Sequence, residues 1–208
     1  MAIGSFVRDI SDHRAACQHR ILSPMTAVVA RMGLRPLHLN VLALALGLLC
    51  AVFVAQGGFL IAAVMLALST LADGLDGELA RSLQMDSDLG AFVDSVFDRY
   101  VDLAILLAVS WYFRHGAPTY VFLTYATIVG TVVTSYSRAR GESLGKCVGA
   151  KGVLTRAERM VLLFIGFAYP RALRVVVWAL AVFSNVTAIQ RIWLYCALVS
   201  KETRRKPS

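Results

Sequence analysis

The sequence predicts an all-α polytopic membrane protein, with six transmembrane helices preceded by an amphipathic juxtamembrane helix. The first observation is composition: hydrophobic residues make up 58% of the 208 residues and charged residues only 16%. A soluble domain averages about 45–50% apolar and about 25% charged residues, so this chain has too little polar surface for a soluble fold. The second observation is that apolar runs near the roughly 20 residues needed to cross a bilayer recur along the chain. A soluble, basic nucleic-acid binder is therefore disfavoured, and we expect the lipid bilayer as a partner and no nucleic acid.

The first 35 residues differ from the rest, because charged residues interrupt them and no apolar core of a signal peptide is present. Their apolar side chains recur near helical spacing, which predicts a helix that lies on the membrane surface over residues 1–35. The stripe consists of Ile21, Leu22, Met25, Val28, Val29 and Met32.

Six apolar segments follow, and turn residues such as Gln56-Gly57-Gly58, Gly116-Ala117-Pro118 and Pro170 separate several of them. We expect one six-span domain over residues 36–200 and a frayed basic tail over residues 201–208. The predicted spans cover about Leu37–Ala55, Phe59–Ala72 (continuing as a more polar helix to Arg81), Gly90–Phe113, Thr119–Ser137, Met160–Tyr169 and Leu173–Val199.

The distribution of basic residues predicts the orientation. The net charge is +8, and Lys and Arg concentrate in the N-terminal segment, in the loop 138–159 and in the tail. Since cytoplasmic loops carry the excess of Lys and Arg, both termini and this loop should face the cytoplasm of a multi-pass cell-membrane protein. Residues 73–98 should lie on the same side.

Eight of the thirteen acidic residues fall between positions 73 and 102. Asp73 and Asp76 are spaced i,i+3 at the end of the second span, and Asp94 and Asp98 are spaced i,i+4 at the start of the third, so each pair shares a helix face. The short linker makes the two helices antiparallel neighbours, and four carboxylates can then converge. Carboxylates that converge repel one another unless a cation is present, and oxygen ligands select hard ions such as Mg²⁺ or Mn²⁺.

Small residues accompany these carboxylates and would let a phosphate approach the backbone; Arg81 adds a side chain suited to phosphate. Asp102 lies one helical turn after Asp98 on the same helix face, and we expect it to form an ion pair with a basic residue. The small residues are Gly77, Ala80 and Gly90.

Residues 73–98 resemble the signature of the CDP-alcohol phosphotransferases, D-x2-D-G-x2-A-R-x8-9-G-x3-D-x3-D, at every fixed position. The six-span layout and the small size match as well. The resemblance implies transfer of a phosphatidyl group from CDP-diacylglycerol to an alcohol, with release of CMP. Because members of this family tend to form homodimers, the resemblance also implies a homodimer here.

The residue roles that the resemblance implies are three. Asp98 would be the catalytic base. One or two Mg²⁺ or Mn²⁺ ions would bind Asp73, Asp76, Asp94 and Asp98. The cytidine diphosphate would contact Asp73, Gly77, Ala80, Arg81 and Gly90.

A second group of residues bears on the acceptor. The segment S-Y-S-R-A-R-G-E-S-L-G, the later L-T-R-A-E-R and the late A-I-Q-R-I are similar to stretches of the bacterial phosphatidylinositol-phosphate synthases. Clustered arginines suit a phosphorylated acceptor, and the resemblance implies inositol 1-phosphate. Gly141, Thr155 and Ala157 depart from that pattern, which leaves glycerol 3-phosphate and a phosphatidylglycerophosphate synthase open. The predicted acceptor-binding residues are Arg138, Arg140, Arg156, Arg159 and Arg191.

Other classes fit less well. An ion transporter with carboxylates in its spans would not need the G-x2-A-R spacing and usually has repeated halves. A membrane prenyltransferase has its two aspartate motifs far apart in a longer chain. A membrane scaffold without chemistry has no reason to gather four carboxylates.

Overall fold

A computed structural model of the chain describes residues 24–85, 87–146 and 152–205, and for residues 201–205 only the backbone. All regular structure in these ranges is helical. A short helix, α1, covers residues 24–31. The six longer helices are α2 (Pro36–Ala55), α3 (Phe59–Ser82), α4 (Asp88–Phe113), α5 (Pro118–Ser143), α6 (Arg156–Ala168) and α7 (Leu173–Arg205).

The ends of three helices are fixed by the same backbone motif. After α5, the N–H of Lys146 donates to the carbonyl of Gly141 and that of Gly145 to Glu142, with Gly145 at φ 71°. This is a Schellman ending, in which a left-handed residue satisfies the last carbonyls of the helix. Residues 57–58 end α2 in the same way. At the end of α3 the left-handed position is held by Gln84, at φ 53°, where glycine would be the unstrained choice.

The chain divides into two compact units, one of residues 1–47 and 67–101 and the other of residues 48–66 and 102–208. In the first unit, α2 and α3 approach closely. The Ser69 hydroxyl donates to the Ala43 carbonyl at 2.7 Å, and a Cβ at Gly47 would lie 2.6 Å from the Val101 methyls. An apolar cluster, to which α1 contributes, fills this unit at Leu39, Leu75, Leu79, Leu71, Val29 and Ala30.

In the second unit, α5 packs along α7 and α6 also contacts α7. The contact face of α5 is small and polar rather than leucine-rich, which lets the two backbones approach, as is common between membrane helices. A Cβ at Gly130 would lie 2.9 Å from the Asn185 nitrogen, and the Asn185 amide donates to the Ala126 carbonyl at 2.9 Å. The buried residues of this face are Thr124, Thr127, Gly130, Thr131 and Thr134.

The described part of the chain is thus all-helical, consistent with an α-helical membrane protein, and its six long helices occupy the six predicted segments. Three of them are long and apolar enough to cross a bilayer: Pro36–Ala55, Phe59–Ser82 and Leu173–Ser200. That the other three helices also cross stays a prediction, as does the surface helix, of which residues 1–23 lie outside the described part. The expected frayed tail is wrong in part, because the backbone of α7 stays helical to Arg205.

Candidate active site

The carboxylate cluster lies in the first unit, where the end of α3 and the start of α4 come together. Asp73 of α3 and Asp94 and Asp98 of α4 each offer a carboxylate oxygen, and these oxygens lie within 4.8 Å of one another. All three residues are half-buried. The i,i+4 spacing on α4 aligns two of the carboxylates, and the turn between the helices brings the third to them.

Asp76, the fourth predicted ligand, is not part of this group of three. It is buried, and its Oδ1 accepts a hydrogen bond from the backbone N–H of Gly77 at 2.6 Å. This hydrogen bond lies within its own helix. Its role as a metal ligand stays a prediction.

The residues predicted to hold the nucleotide follow on the same helix. A Cβ at Gly77 would meet Arg81 Nη1 at 3.8 Å as its nearest neighbour, so the backbone here is open on one side. Arg81 is largely exposed and pairs with the buried Glu78 at 2.8 Å. Ala80 is half-buried, and its carbonyl accepts the N–H of Met85 in the turn that ends α3.

Ser87 starts α4, because its hydroxyl accepts the N–H of Gly90 at 3.1 Å and its carbonyl accepts that of Ala91. This N-cap sets the register of the helix that carries Asp94 and Asp98. A Cβ at Gly90 would lie 3.1 Å from the Ser87 hydroxyl, which gives the glycine a local reason besides room for a ligand. Asp86 lies outside the described residues.

The donor set of this cluster fits a divalent cation. Three carboxylate oxygens so close together repel one another in the half-buried setting, and a hard ion such as Mg²⁺ or Mn²⁺ relieves that repulsion. Sulfur and imidazole ligands, which would favour a softer metal, are absent from the group of three.

Asp102 forms the ion pair expected for it. In the second unit, its fully buried carboxylate contacts the Arg159 guanidinium through Oδ2, and Arg156 Nε lies 3.5 Å from Oδ1. Arg159 is buried as well, whereas the Arg156 side chain is 26% exposed. One carboxylate thus orients two of the predicted acceptor arginines. The sequence predicted an ion pair for Asp102 but not which basic residues form it.

The start of α6 has a signal that our interpretation of the sequence missed. The Thr155 hydroxyl accepts the N–H of Glu158 at 3.4 Å, and the Glu158 carboxylate accepts the N–H of Thr155 at 2.8 Å. This capping box is readable as T-x-x-E. Thr155 therefore does more than depart from the relatives' pattern: it fixes the first turn, which carries Arg156 and Arg159.

The remaining predicted acceptor residues lie at the C-terminal end of α5 and in α7. Arg191 is buried, and its Nη1 donates to the Thr134 carbonyl at 2.8 Å, one turn before Arg138. Arg138 is exposed and pairs with Glu142 at 2.9 Å, and Arg140 is exposed in the last turn. Residues 147–151, an unusual stretch of this loop, lie outside the described residues.

Comparison with known proteins gives the same family by two routes. The sequence profile described as CDP-alcohol phosphatidyltransferase matches residues 34–200. The archaetidylinositol phosphate synthase of Pyrococcus horikoshii is 32% identical over 79% of this chain and 85% of its own length. The phosphatidylinositol phosphate synthase of Streptomyces avermitilis is 34% identical over 83% of this chain and 77% of its own length.

A solved structure is similar over most of the chain. The phosphatidylinositol phosphate synthase of Mycobacterium tuberculosis, crystallised with CDP-DAG, matches with a TM-score of 0.77 and 28% identity, covering 85% of this chain and 94% of that one. The same enzyme was also crystallised with manganese and citrate, and matches with a TM-score of 0.77.

Proposed function

Because this chain belongs to the CDP-alcohol phosphatidyltransferase family, we propose that it transfers a phosphatidyl group from CDP-diacylglycerol to inositol 1-phosphate. The products are phosphatidylinositol phosphate and CMP, and the reaction belongs to phospholipid biosynthesis. The observation that carries the proposal is the group of carboxylates of Asp73, Asp94 and Asp98. The relatives named as synthases of inositol phosphate lipids support the choice of acceptor.

Asp73, Asp94 and Asp98 would hold Mg²⁺ or Mn²⁺, one or two ions, and Asp76 would complete the set. A metal bound there supplies charge neutralisation for the diphosphate. That a related enzyme was crystallised with manganese supports a divalent ion as the cofactor. The cytidine diphosphate would contact Asp73, Gly77, Ala80, Arg81 and Gly90, with the Arg81 guanidinium as a charge-assisted donor to phosphate.

Asp98 would orient the acceptor hydroxyl and take its proton. The acceptor oxygen then forms a bond to the phosphorus of the phosphatidyl group, and the bond from that phosphorus to CMP breaks. A carboxylate beside a cation is a weak base, so much of the contribution of Asp98 would come from holding the hydroxyl in line.

The five arginines would bind the acceptor phosphate. Supporting this is their placement: α5, α7 and the first turn of α6 are joined by the Arg191–Thr134 and Leu154–Thr187 hydrogen bonds. Guanidinium groups make strong, oriented bonds to a phosphate; Arg159 and Arg191 are buried, whereas Arg138 and Arg140 are exposed. The arginines are Arg138, Arg140, Arg156, Arg159 and Arg191.

All six long helices would cross the cell membrane, with the active site and both termini on the cytoplasmic side, where the excess of Lys and Arg lies. The functional form would be a homodimer.

The test is CMP release from CDP-diacylglycerol in detergent with Mg²⁺, measured with inositol 1-phosphate, glycerol 3-phosphate, free inositol or no acceptor. We expect release that depends on inositol 1-phosphate. Release only with glycerol 3-phosphate would keep the chemistry and replace the acceptor. Absence of release with every acceptor, from protein that is folded and monodisperse, would contradict the proposed reaction.

A further inference from the structure

We propose that Thr187 of α7 is a positioning residue for the acceptor site. Its hydroxyl fixes the segment before α6, and this segment sets the first turn of α6, which carries Arg156 and Arg159. The inference rests on the proposed function, because it assumes that these arginines bind the acceptor phosphate. None of the motifs that identify the family requires a threonine here.

Thr187 is fully buried and uses its hydroxyl twice. The Oγ1 donates to the Phe183 carbonyl at 2.7 Å within α7. It also accepts the backbone N–H of Leu154 at 2.9 Å, 33 residues away in the sequence. A buried amide outside a helix has to find such a partner, and here a single side chain on another element supplies it.

The methyl group of Thr187 is packed as closely as its hydroxyl is bonded. A Cβ added at Gly152 would overlap Thr187 Cγ2. Glycine at 152 therefore lets the segment lie against α7. The hydroxyl and the methyl of Thr187 together fix the position along α7 at which residues 152–154 pack against that helix.

From Leu154 the placement passes directly to the arginines. Thr155 is the N-cap of α6, closed by the capping box with Glu158, and the N–H of Arg159 donates to the Thr155 carbonyl at 3.1 Å. On its other side the turn is held by the buried Asp102. The first turn of α6 is thus fixed both through its N-cap and through the ion pair of its arginines with Asp102.

Thr187 also lies one turn before Arg191 on α7. Loss of its hydroxyl would release the first turn of α6 while leaving Arg191 on an unchanged helix. The expected result is weaker acceptor binding with the site for the CDP-lipid untouched, a pattern that general loosening of the fold would not give.

The experiment compares Thr187→Val, which keeps the shape and removes the hydroxyl, with Thr187→Ser, which keeps the hydroxyl. Loss of one buried neutral hydrogen bond predicts a rise of about threefold to tenfold in KM for inositol 1-phosphate in Thr187→Val. The KM for CDP-diacylglycerol should stay near that of the wild type, and Thr187→Ser should restore most of the acceptor affinity. Amide hydrogen exchange over residues 152–159 should accelerate in Thr187→Val only.

An unchanged acceptor KM in a folded Thr187→Val protein, or an equal rise for both substrates, would overturn the proposal. If Thr187→Val does not fold, Gly152→Ala disturbs the same contact from the other side and should raise the acceptor KM alone; an unchanged value overturns it again. Wild-type protein that is inactive with every phosphorylated acceptor would instead overturn the proposed function, and the acceptor role of Thr187 with it. The exchange rates would then still report whether Thr187 fixes the segment.

Discussion

Two groups of charged side chains stand out in this protein, one in each compact unit. In the first unit, the group of Asp73, Asp94 and Asp98 gathers negative charge that calls for a cation. In the second unit, buried Asp102 neutralises part of the positive charge of Arg156 and Arg159. Replacing a whole buried ion pair by apolar residues often costs little stability, whereas removing one partner is strongly destabilising because it leaves the other charge buried and unpaired.

Asp98→Asn tests the carboxylate cluster. The amide keeps the size of the side chain and removes its charge and basicity, so we expect CMP release to fall by about 100-fold or more with the thermal midpoint preserved. Asp88→Asn is the matched control, since Asp88 is exposed in the first turn of α4; its activity should stay within about twofold of the wild type. Activity retained in Asp98→Asn would remove this residue from the catalytic machinery.

Arg140→Ala and Arg191→Ala test the acceptor site from two helices. Each loses charge-assisted hydrogen bonds to the acceptor phosphate, so its KM for inositol 1-phosphate should rise about tenfold or more, while the KM for CDP-diacylglycerol changes little. Arg191→Ala should also lower the thermal midpoint, because it gives up the bond to the Thr134 carbonyl. Arg114→Ala is the control, since Arg114 follows the end of α4 and its guanidinium stacks on the Trp111 ring. Equal effects on both substrates in Arg140→Ala or Arg191→Ala would contradict the assignment.

At the scale of elements, the α5–α7 contact depends on small and polar residues instead of large apolar ones. Gly130 meets the backbone of Ser184 and Asn185, and the Thr134 hydroxyl donates to the Ser184 carbonyl at 3.4 Å. Such a contact aligns two helices closely, and it places Arg191 of α7 beside the Thr134 carbonyl, near the arginine-bearing end of α5.

Gly130→Ala tests this contact. The added Cβ would lie 2.9 Å from backbone atoms that cannot rotate away, so the helices must separate, at a cost of about 1–3 kcal/mol as for other overpacked interiors. We expect a lower thermal midpoint in detergent. Val129→Ile adds a methyl on the exposed face of the same turn and should leave the midpoint unchanged; equal midpoints for the two variants would contradict the close packing.

At the scale of the whole molecule, the protein combines an apolar helical body with charge confined to a few places. Asp73 and Asp76 lie in the last part of the apolar helix Phe59–Ser82, and Asp94 and Asp98 lie near the start of α4. A lipid-linked substrate and a polar acceptor can meet only near the boundary between bilayer and water, and we expect the charged last part of Phe59–Ser82 to lie there.

Removal of the divalent metal should abolish the enzyme's activity reversibly. EDTA should abolish CMP release, and excess Mg²⁺ or Mn²⁺ should restore it, because the clustered carboxylates need a cation to hold the diphosphate. The metal should also raise the thermal midpoint of the wild type, since a ligand that binds only the native state stabilises it. Asp94→Asn should lose most of this shift; full activity in EDTA would contradict the metal site.

The sequence by itself determined the family, the membrane class and the position of each long helix. Period and length of the apolar runs are local properties, and the signature from Asp73 to Asp98 lies within two helices and one turn, so spacing alone predicted that its carboxylates meet. The structure groups three of them, while Asp76 lies outside this group and accepts the N–H of its neighbour Gly77. The roles of all these residues stay predictions.

Only the tertiary structure decided the contacts between residues distant in the chain. It paired Asp102 with Arg159, placed the Leu154 amide on Thr187, and packed the threonines of α5 against α7. Apolar periodicity carries no information about which buried polar group meets which, because that depends on how the helices pack around one another. Burial then makes each pairing obligatory, since an unsatisfied charge or amide in a low-dielectric interior is costly.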